Sequence, residues 1–271
     1  MGADIKSLRI RIRSVDSTMH LTKAMGLVAS SKIRRATRDM TRTREYTAAM
    51  QDVVNVLRAA PECERSPYMQ PTGKGTRLIV IAGDRGLAGG YNANVFRLAA
   101  TLPEAEVIAI GKRACDRFGQ DIVSSERYPA TEAKKLADQQ CRDFLEGKFE
   151  RLGILYTRYK SMMSQEATVL WVLPLEKTEK TEGGDPLFEP DEQTVLNAAV
   201  PTYVSGILSA CIRESFASEV AARRMAMDSA SKNAQEMIDR LQLQYNRARQ
   251  NSITQEITEI VAGSGLYSVN C

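Results

Sequence analysis

Apolar and small residues recur at alternating steps of three and four along the first arm of the chain. The series runs Ile5, Leu8, Ile12, Val15, Met19, Thr22, Gly26, Ala29, Ile33, Ala36, Met40, Thr43, Thr47, Met50, Val54 and Leu57. No proline interrupts it before Pro61. Heptad spacing held over so many steps predicts one long helix across 1–60 lying along a partner helix. With a rise of about 1.5 Å per residue, about 54 residues of it make a rod of roughly 80 Å. The middle of its seam, 22–29, is small and weakly apolar, so the helices approach closely there but bury little area.

A second arm is predicted over 202–262, within a C-terminal segment of 202–271. It has no internal proline and only Gly206 as an internal glycine, and Gly263 and Gly265 stand where a helix C-cap is expected. Its seam reads Met227, Ala230, Ala234, Met237, Leu241, Tyr245, Ala248 and Ser252. A slip of one then opens a last stripe of Ile253, Ile257 and Ile260. Two long helices at opposite ends of one chain pair most simply with each other, antiparallel.

Between the arms the period changes. Residues 77–82 and 106–110 read as short buried strands, with further strands at 152–156 and 168–173. Helical stretches fall at 92–102, 113–118 and 131–148. This alternation predicts a small α/β domain over 77–175 with a mostly parallel sheet. The segments 61–76 and 176–201 are read as linkers, the first wholly and the second over 176–190 being rich in Pro, Gly and charge. The fold class is therefore α/β plus long helices.

Composition narrows the function. With 43% apolar and 26% charged residues, the chain is expected to fold rather than stay disordered. Its longest apolar run, 167–175, is too short to span a bilayer. Residues 1–13 have no apolar core of a secretory signal and already fit a structural helix. A cytosolic chain is expected, with association to a membrane complex left open. Five cysteines (Cys63, Cys115, Cys141, Cys211 and Cys271) at wide spacings, without a C-x-x-C pair, argue against a disulfide framework or zinc site. His20 is the only histidine, which leaves little basis for a triad or a histidine metal site. Charge is uneven. Residues 1–60 hold 12 Lys or Arg against 5 Asp or Glu, a net +7, while 203–262 is neutral. An acidic partner is implied: nucleic acid, anionic lipid or an acidic protein surface. Arg34, Arg35, Arg38, Arg42 and Arg44 crowd the first arm and fit either a solvated face or such docking.

The run from Gly83 to Gly90 follows a strand and precedes a helix, where nucleotide folds bind phosphate. Its spacing is G-x-x-G-x-x-G-G, not G-x-G-x-x-G, and no G-K-[ST] follows. Gly73 and Lys74 fail the same test, because glycine follows Lys74. A tight structural turn is the better reading. Arg223, Arg224, Arg249, Gln250, Thr254 and Glu256 put many polar groups on the second arm, with Gln250 and Thr254 on one helical face. They suit hydrogen bonding to a partner or plain exposure. No paired carboxylates, nucleophile with a base, or ligand cluster emerges, so the residues describe a binding or mechanical protein.

Several blocks carry a resemblance. Asp4-Ile5-Lys6 through Arg11-Ile12-Arg13-Ser14-Val15, Leu21-Thr22-Lys23-Ala24-Met25 and Val28-Ala29-Ser30-Ser31-Lys32 resemble the N-terminal helix of the ATP synthase γ-subunit family. Gly83 through Tyr91-Asn92 is similar to that family's glycine turn. Ala217-Ser218-Glu219 with Arg223, Met225, Ala226 and Met227, then Tyr245 through Gln250 and Ile253 through Gly263, resemble its C-terminal signature. The match covers nearly the whole chain in order.

The resemblance implies an antiparallel coiled coil of the terminal helices with a central Rossmann-like α/β domain. It implies a rotor shaft with no catalytic, cofactor or metal site of its own. The implied partners are the α and β subunits of the catalytic hexamer, the ε subunit and the membrane c-ring, with no nucleic acid and no small-molecule substrate. The implied location is peripheral, on the cytoplasmic face of a bacterial plasma membrane. By position, Lys23, Met25, Arg223, Arg249, Gln250, Thr254 and Glu256 would face the hexamer, with Lys23 and Met25 near an acidic lever region of β. Arg85, Gly86, Gly89 and Gly90 would belong to the foot, on the ε and c-ring side. His20, Val220 and Arg224 depart from the family's usual residues, as does the tail 266–271.

Overall fold

The computed structural model describes residues 2–178 and 188–267. Its elements in chain order are α1 (Gly2–Ala59), a 3-10 turn (Pro61–Arg65), β1 (Thr76–Ile81), α2 (Tyr91–Ala99), β2 (Glu106–Ile110), α3 (Lys112–Phe118), α4 (Ala130–Leu145), β3 (Arg151–Tyr159), β4 (Gln165–Leu173) and α5 (Glu192–Tyr267). The sheet order is β2-β1-β3-β4. β1 pairs in parallel with both β2 and β3, and β4 returns antiparallel to β3. The sheet is thus mostly parallel, as the alternating pattern predicts.

β1 is apolar from Leu78 to Ile81 because both of its faces are covered there. Leu78 and Val80 point to one layer, packing with Val95, Ala99, Ala114 and Cys115 of α2 and α3. Ile79 and Ile81 point to the other, with Val54 and Leu57 of α1, Phe144 of α4, and Leu196 and Val204 of α5. Strand period two and helix period 3.6 meet in these two layers. Gly111, which caps α3, has φ 99°, and a Cβ there would lie 2.0 Å from the carbonyl oxygen of Ala82. Only glycine fits that approach.

The chain divides into two compact units, Met1–Val28 with Ala226–Cys271, and Ala29–Met225. Within the first, the helices run antiparallel. Arg9 meets Tyr245, Met19 meets Ala234 and Ile238, and Thr22 bonds Ser231 at 2.8 Å. Within the second, α1 and α5 are again antiparallel: Ala29 and Ile33 pack with Val220 and Ala221, Ala36 and Met40 with Ala217. All sixteen seam positions predicted on α1 are buried or half-buried.

Three of the expected bounds need correction. The second arm begins at Glu192, not near residue 202, and passes through Pro201. Asp191 starts it as an N-cap, accepting from the Thr194 amide and hydroxyl, both at 2.8 Å. A proline inside a helix costs about 3 kcal/mol. Complete burial of Leu196, Val200 and Val204 around it offsets that cost. The helix also continues through Gly263 and Gly265 to Tyr267 instead of capping there. Finally, 61–76 is no mere linker. Cys63, Ser66 and Tyr68 are buried, and Tyr68 stacks on Phe144 with centroids 6.2 Å apart. Residues 179–187 of the second linker and 268–271 of the tail lie outside the described residues.

On α5 the seam takes Ile238 where Met237 is expected; Met237 is exposed. A straight helix turns every 3.6 residues and drifts from a strict heptad, so one step of three becomes four. By length and composition α5 is also the one helix among the described residues that could cross a bilayer, yet half of that stretch is buried inside the protein, as in a core helix.

Candidate functional site

β3 is longer than β1, and their pairing ends at Val80 and Leu155. Backbone groups past that point need other partners, and α5 supplies them. The Thr157 amide donates to Ser215 Oγ at 3.0 Å, Ser218 Oγ donates to the Thr157 carbonyl at 3.0 Å, and the Tyr159 amide donates to Glu214 Oε1 at 2.9 Å. Glu214 also takes Arg44 of α1 at 2.6 Å, so one carboxylate holds both long helices and the strand.

Beside this joint lies the glycine-rich turn. Asp84 is its root. Its carboxylate accepts from the amides of Lys112, Ser125 and Glu126, at 3.1, 2.9 and 3.1 Å, and from Ser124 Oγ at 2.5 Å. Burial alone would raise its pKa, but these four donors outweigh burial and hold it below the ordinary range. Gly83 abuts α5: a Cβ there would lie 2.7 Å from the Glu219 carboxyl carbon. Glu219 is 3% exposed, and burial pushes its pKa up against the opposing pull of Arg223. Arg223 bonds Glu219 at 2.5 Å and donates to the carbonyls of Gly86 at 3.3 Å and Arg85 at 3.5 Å. Leu87, next in the turn, has φ 60°, a left-handed conformation uncommon for a side-chain-bearing residue.

The contacts of this turn are made within the chain. The Gly83 amide is spent on Asn92 Oδ1 at 2.9 Å, and the carboxylate of Glu219 stands against the turn where an anion would be repelled. Among the described residues no group of three His, Cys, Asp or Glu could hold a metal ion. Cys63, Cys115, Cys141 and Cys211 are free and buried; Cys271 lies outside the described residues. A cleft of about 500 Å³ beside β2 is lined by Ile108, Gln120, Tyr128 and Leu136 among others. The side-chain amide of Gln120 there is committed to the β2 backbone at Val107 and Ala109.

The predicted site residues fall into separate groups. Lys23 is exposed and Met25 half-buried in the first unit, where Arg249, Gln250, Thr254 and Glu256 are all exposed. The Thr254 hydroxyl bonds the Gln250 carbonyl at 2.9 Å. In the second unit the structure joins Arg223 to Arg85 and Gly86, which the sequence places in different sites. Arg223, expected to face a partner, has a side chain only 13% exposed and is engaged within the chain. Its ties to Gly86 and Arg85 span more than 130 residues of sequence, and helical periodicity carries no signal for them, unlike its i,i+4 pair with Glu219. The pairs Arg44–Glu214 and Lys32–Glu126, both at 2.6 Å, are likewise long-range, 170 and 94 residues apart. Gly90 N-caps α2 and Gly89 has φ 57°, both turn roles. Of the departures from the family pattern, Val220 is buried against Ala29 and Ile33, Arg224 bonds Ser30, and His20 lies 3.6 Å from Asp16 on the helix surface.

The fold class is a long antiparallel helix pair built onto a small, mostly parallel α/β domain. Comparison with known proteins makes this specific. The family model described as ATP synthase matches residues 4–265. The ATP synthase gamma chain of Moorella thermoacetica is 39% identical over 97% of this chain and 98% of its own length, and that of Ruminococcus albus is 39% identical over the same shares. A chain of the Euglena gracilis mitochondrial ATP synthase, solved as OSCP/F1/c-ring, superposes with a TM-score of 0.67 at 20% identity, covering 98% of this chain and 95% of that one. This chain belongs to the ATP synthase γ-chain family.

Proposed function

We propose that the chain is the central rotor shaft of a bacterial F-type ATP synthase and carries no catalytic site of its own. The α1/α5 pair stands inside the hexamer of α and β subunits. The α/β domain forms the foot that meets ε and the c-ring, at the cytoplasmic face of the plasma membrane. Ion flow turns the ring and the shaft, and shaft orientation biases which state each β subunit populates. Lys23, Met25, Arg249, Gln250, Thr254 and Glu256 face the hexamer. Arg85 and the turn at Gly86, Gly89 and Gly90 belong to the foot.

The observation that carries this reading, beside the family, is the distal part of α5. Ile253, Ile257 and Ile260 are exposed on a helix surface, and Leu21 and Leu27 on α1 are exposed as well. A run of bare isoleucines on a helix is a surface made for a partner, and a sheath of α and β subunits supplies one.

Co-expression with α and β subunits of the same organism tests it. The expected product is one copy of this chain per hexamer, with ATP hydrolysis strongest when all three are present. A chain that stays monomeric beside a well-formed hexamer would overturn the reading.

A further inference from the structure

We propose that the turn 83–90 and the adjoining loop 124–126 form a torsional clasp that fixes both long helices to the α/β body at one level. The proposal rests on the rotor reading above and adds to it the place where twist passes from body to helices.

The helices alone are poorly suited to hold an angle here. Four alanines, Ala29, Ala36, Ala217 and Ala221, share their contact in this part of the second unit with Ile33, Met40 and Val220. Apolar packing is non-directional, and small side chains interlock little against rotation about the helix axis. Charge-assisted hydrogen bonds have fixed geometry and resist it. Such bonds converge on this turn from both helices. From α1, Lys32 Nζ donates to Glu126 Oε1 at 2.6 Å. From α5, Arg223 donates to the Gly86 and Arg85 carbonyls while pairing with Glu219. Arg85 reaches the second oxygen of Glu126 at 3.8 Å, closing the path between the two grips. Asp84 locks them together: its oxygens hold the amides of Ser125 and Glu126 and that of Lys112 at the start of α3, so the loop bearing Glu126 cannot slide past the turn. Lys32 and Arg223 both lie close to where this unit ends on their helices. Arg44–Glu214 is a second tie further along the pair.

The clasp predicts a measurable stiffness. With the hexamer immobilised and a bead on the body, the bead's angular variance in a catalytic pause varies inversely with torsional stiffness. Lys32→Glu is expected to widen that variance while unloaded ATP hydrolysis stays near the parent rate. The exchange Lys32→Glu with Glu126→Lys is expected to narrow it again. Both positions are partly exposed, so folding should survive; Arg223→Gln is a second, riskier probe, expected to widen the variance further when combined with Lys32→Glu. A general structural defect would lower assembly and thermal stability without recovery on exchange. Parent-like variance in Lys32→Glu, or widening that the exchange fails to reverse, would overturn the clasp. If the parent chain itself does not assemble with α and β, the rotor reading fails first, and that result is distinct.

Discussion

The two units of this molecule use the same pair of helices in opposite ways. In 29–225, α1 and α5 bury large side chains completely, among them Val54, Leu57, Val200, Val204 and Leu208. There they are two walls of a three-layer core. In the unit built from 1–28 and 226–271, burial is thinner: Met19, Met227, Ala234, Ile238 and Leu241 line the seam, while Ile10, Leu21, Leu27, Leu243 and Ile253 are exposed. A well-buried core and a thinly buried helix pair on one chain fit the proposal that stability and partner binding fall to different lengths of the same helices.

Substitutions can break or sharpen that division. The largest effect belongs to the core: Leu208→Ala should cost about 2–5 kcal/mol in denaturant unfolding. Next comes the polar cluster in which Asp143 accepts from Arg77 at 2.6 Å and Lys148 at 2.8 Å. Burial alone would raise the Asp143 carboxyl, but Lys148, Arg77 and Gln139 hold it at about 2 against an ordinary 3.8. Because the folded value is the lower one, its contribution is complete above the ordinary value and is lost as the pH falls towards about 2. Asp143→Asn should therefore remove on the order of 2 kcal/mol at neutral pH and flatten the acid limb of the stability profile. In the helix pair Met19→Ala should cost about 2 kcal/mol at most, since two helices can close over the gap more easily than a layered core. At the exposed end Ile257→Ser should change stability by less than about 0.5 kcal/mol yet weaken assembly with α and β, as judged by co-purification. Gln250→Ala with Thr254→Ala should likewise leave unfolding unchanged and lower hydrolysis by the assembled complex. A destabilised free chain in either of these last two cases would erase the distinction between the units.

Patterns local in sequence were legible. The seam of α1 follows from period, and the four strands from short apolar runs, because each needs only neighbours a turn or a rung away. The start of α5 was not, since Asp191 and Thr194 cap it inside a polar stretch and Pro201 reads as a breaker. The joint was illegible for a different reason. Glu214, Ser215 and Ser218 bind strand backbone, and Arg223 binds turn carbonyls, all through long-range contacts that leave no periodic trace. Arg223 and Thr254 look alike as polar residues on one helix; only the fold separates the engaged from the exposed.

The most direct measurement is rotation itself. The β3–β4 hairpin offers a handle at Met163, which is 80% exposed. The cysteines at 63, 115, 141 and 211 are buried, so Met163→Cys with Cys271→Ser allows a bead to be attached at one place on the body. With the hexamer fixed to a surface and ATP supplied, the account predicts sustained turning of the bead in one direction, at a rate set by hydrolysis. Hydrolysis by the same complexes with a bead that only fluctuates about one angle would contradict it.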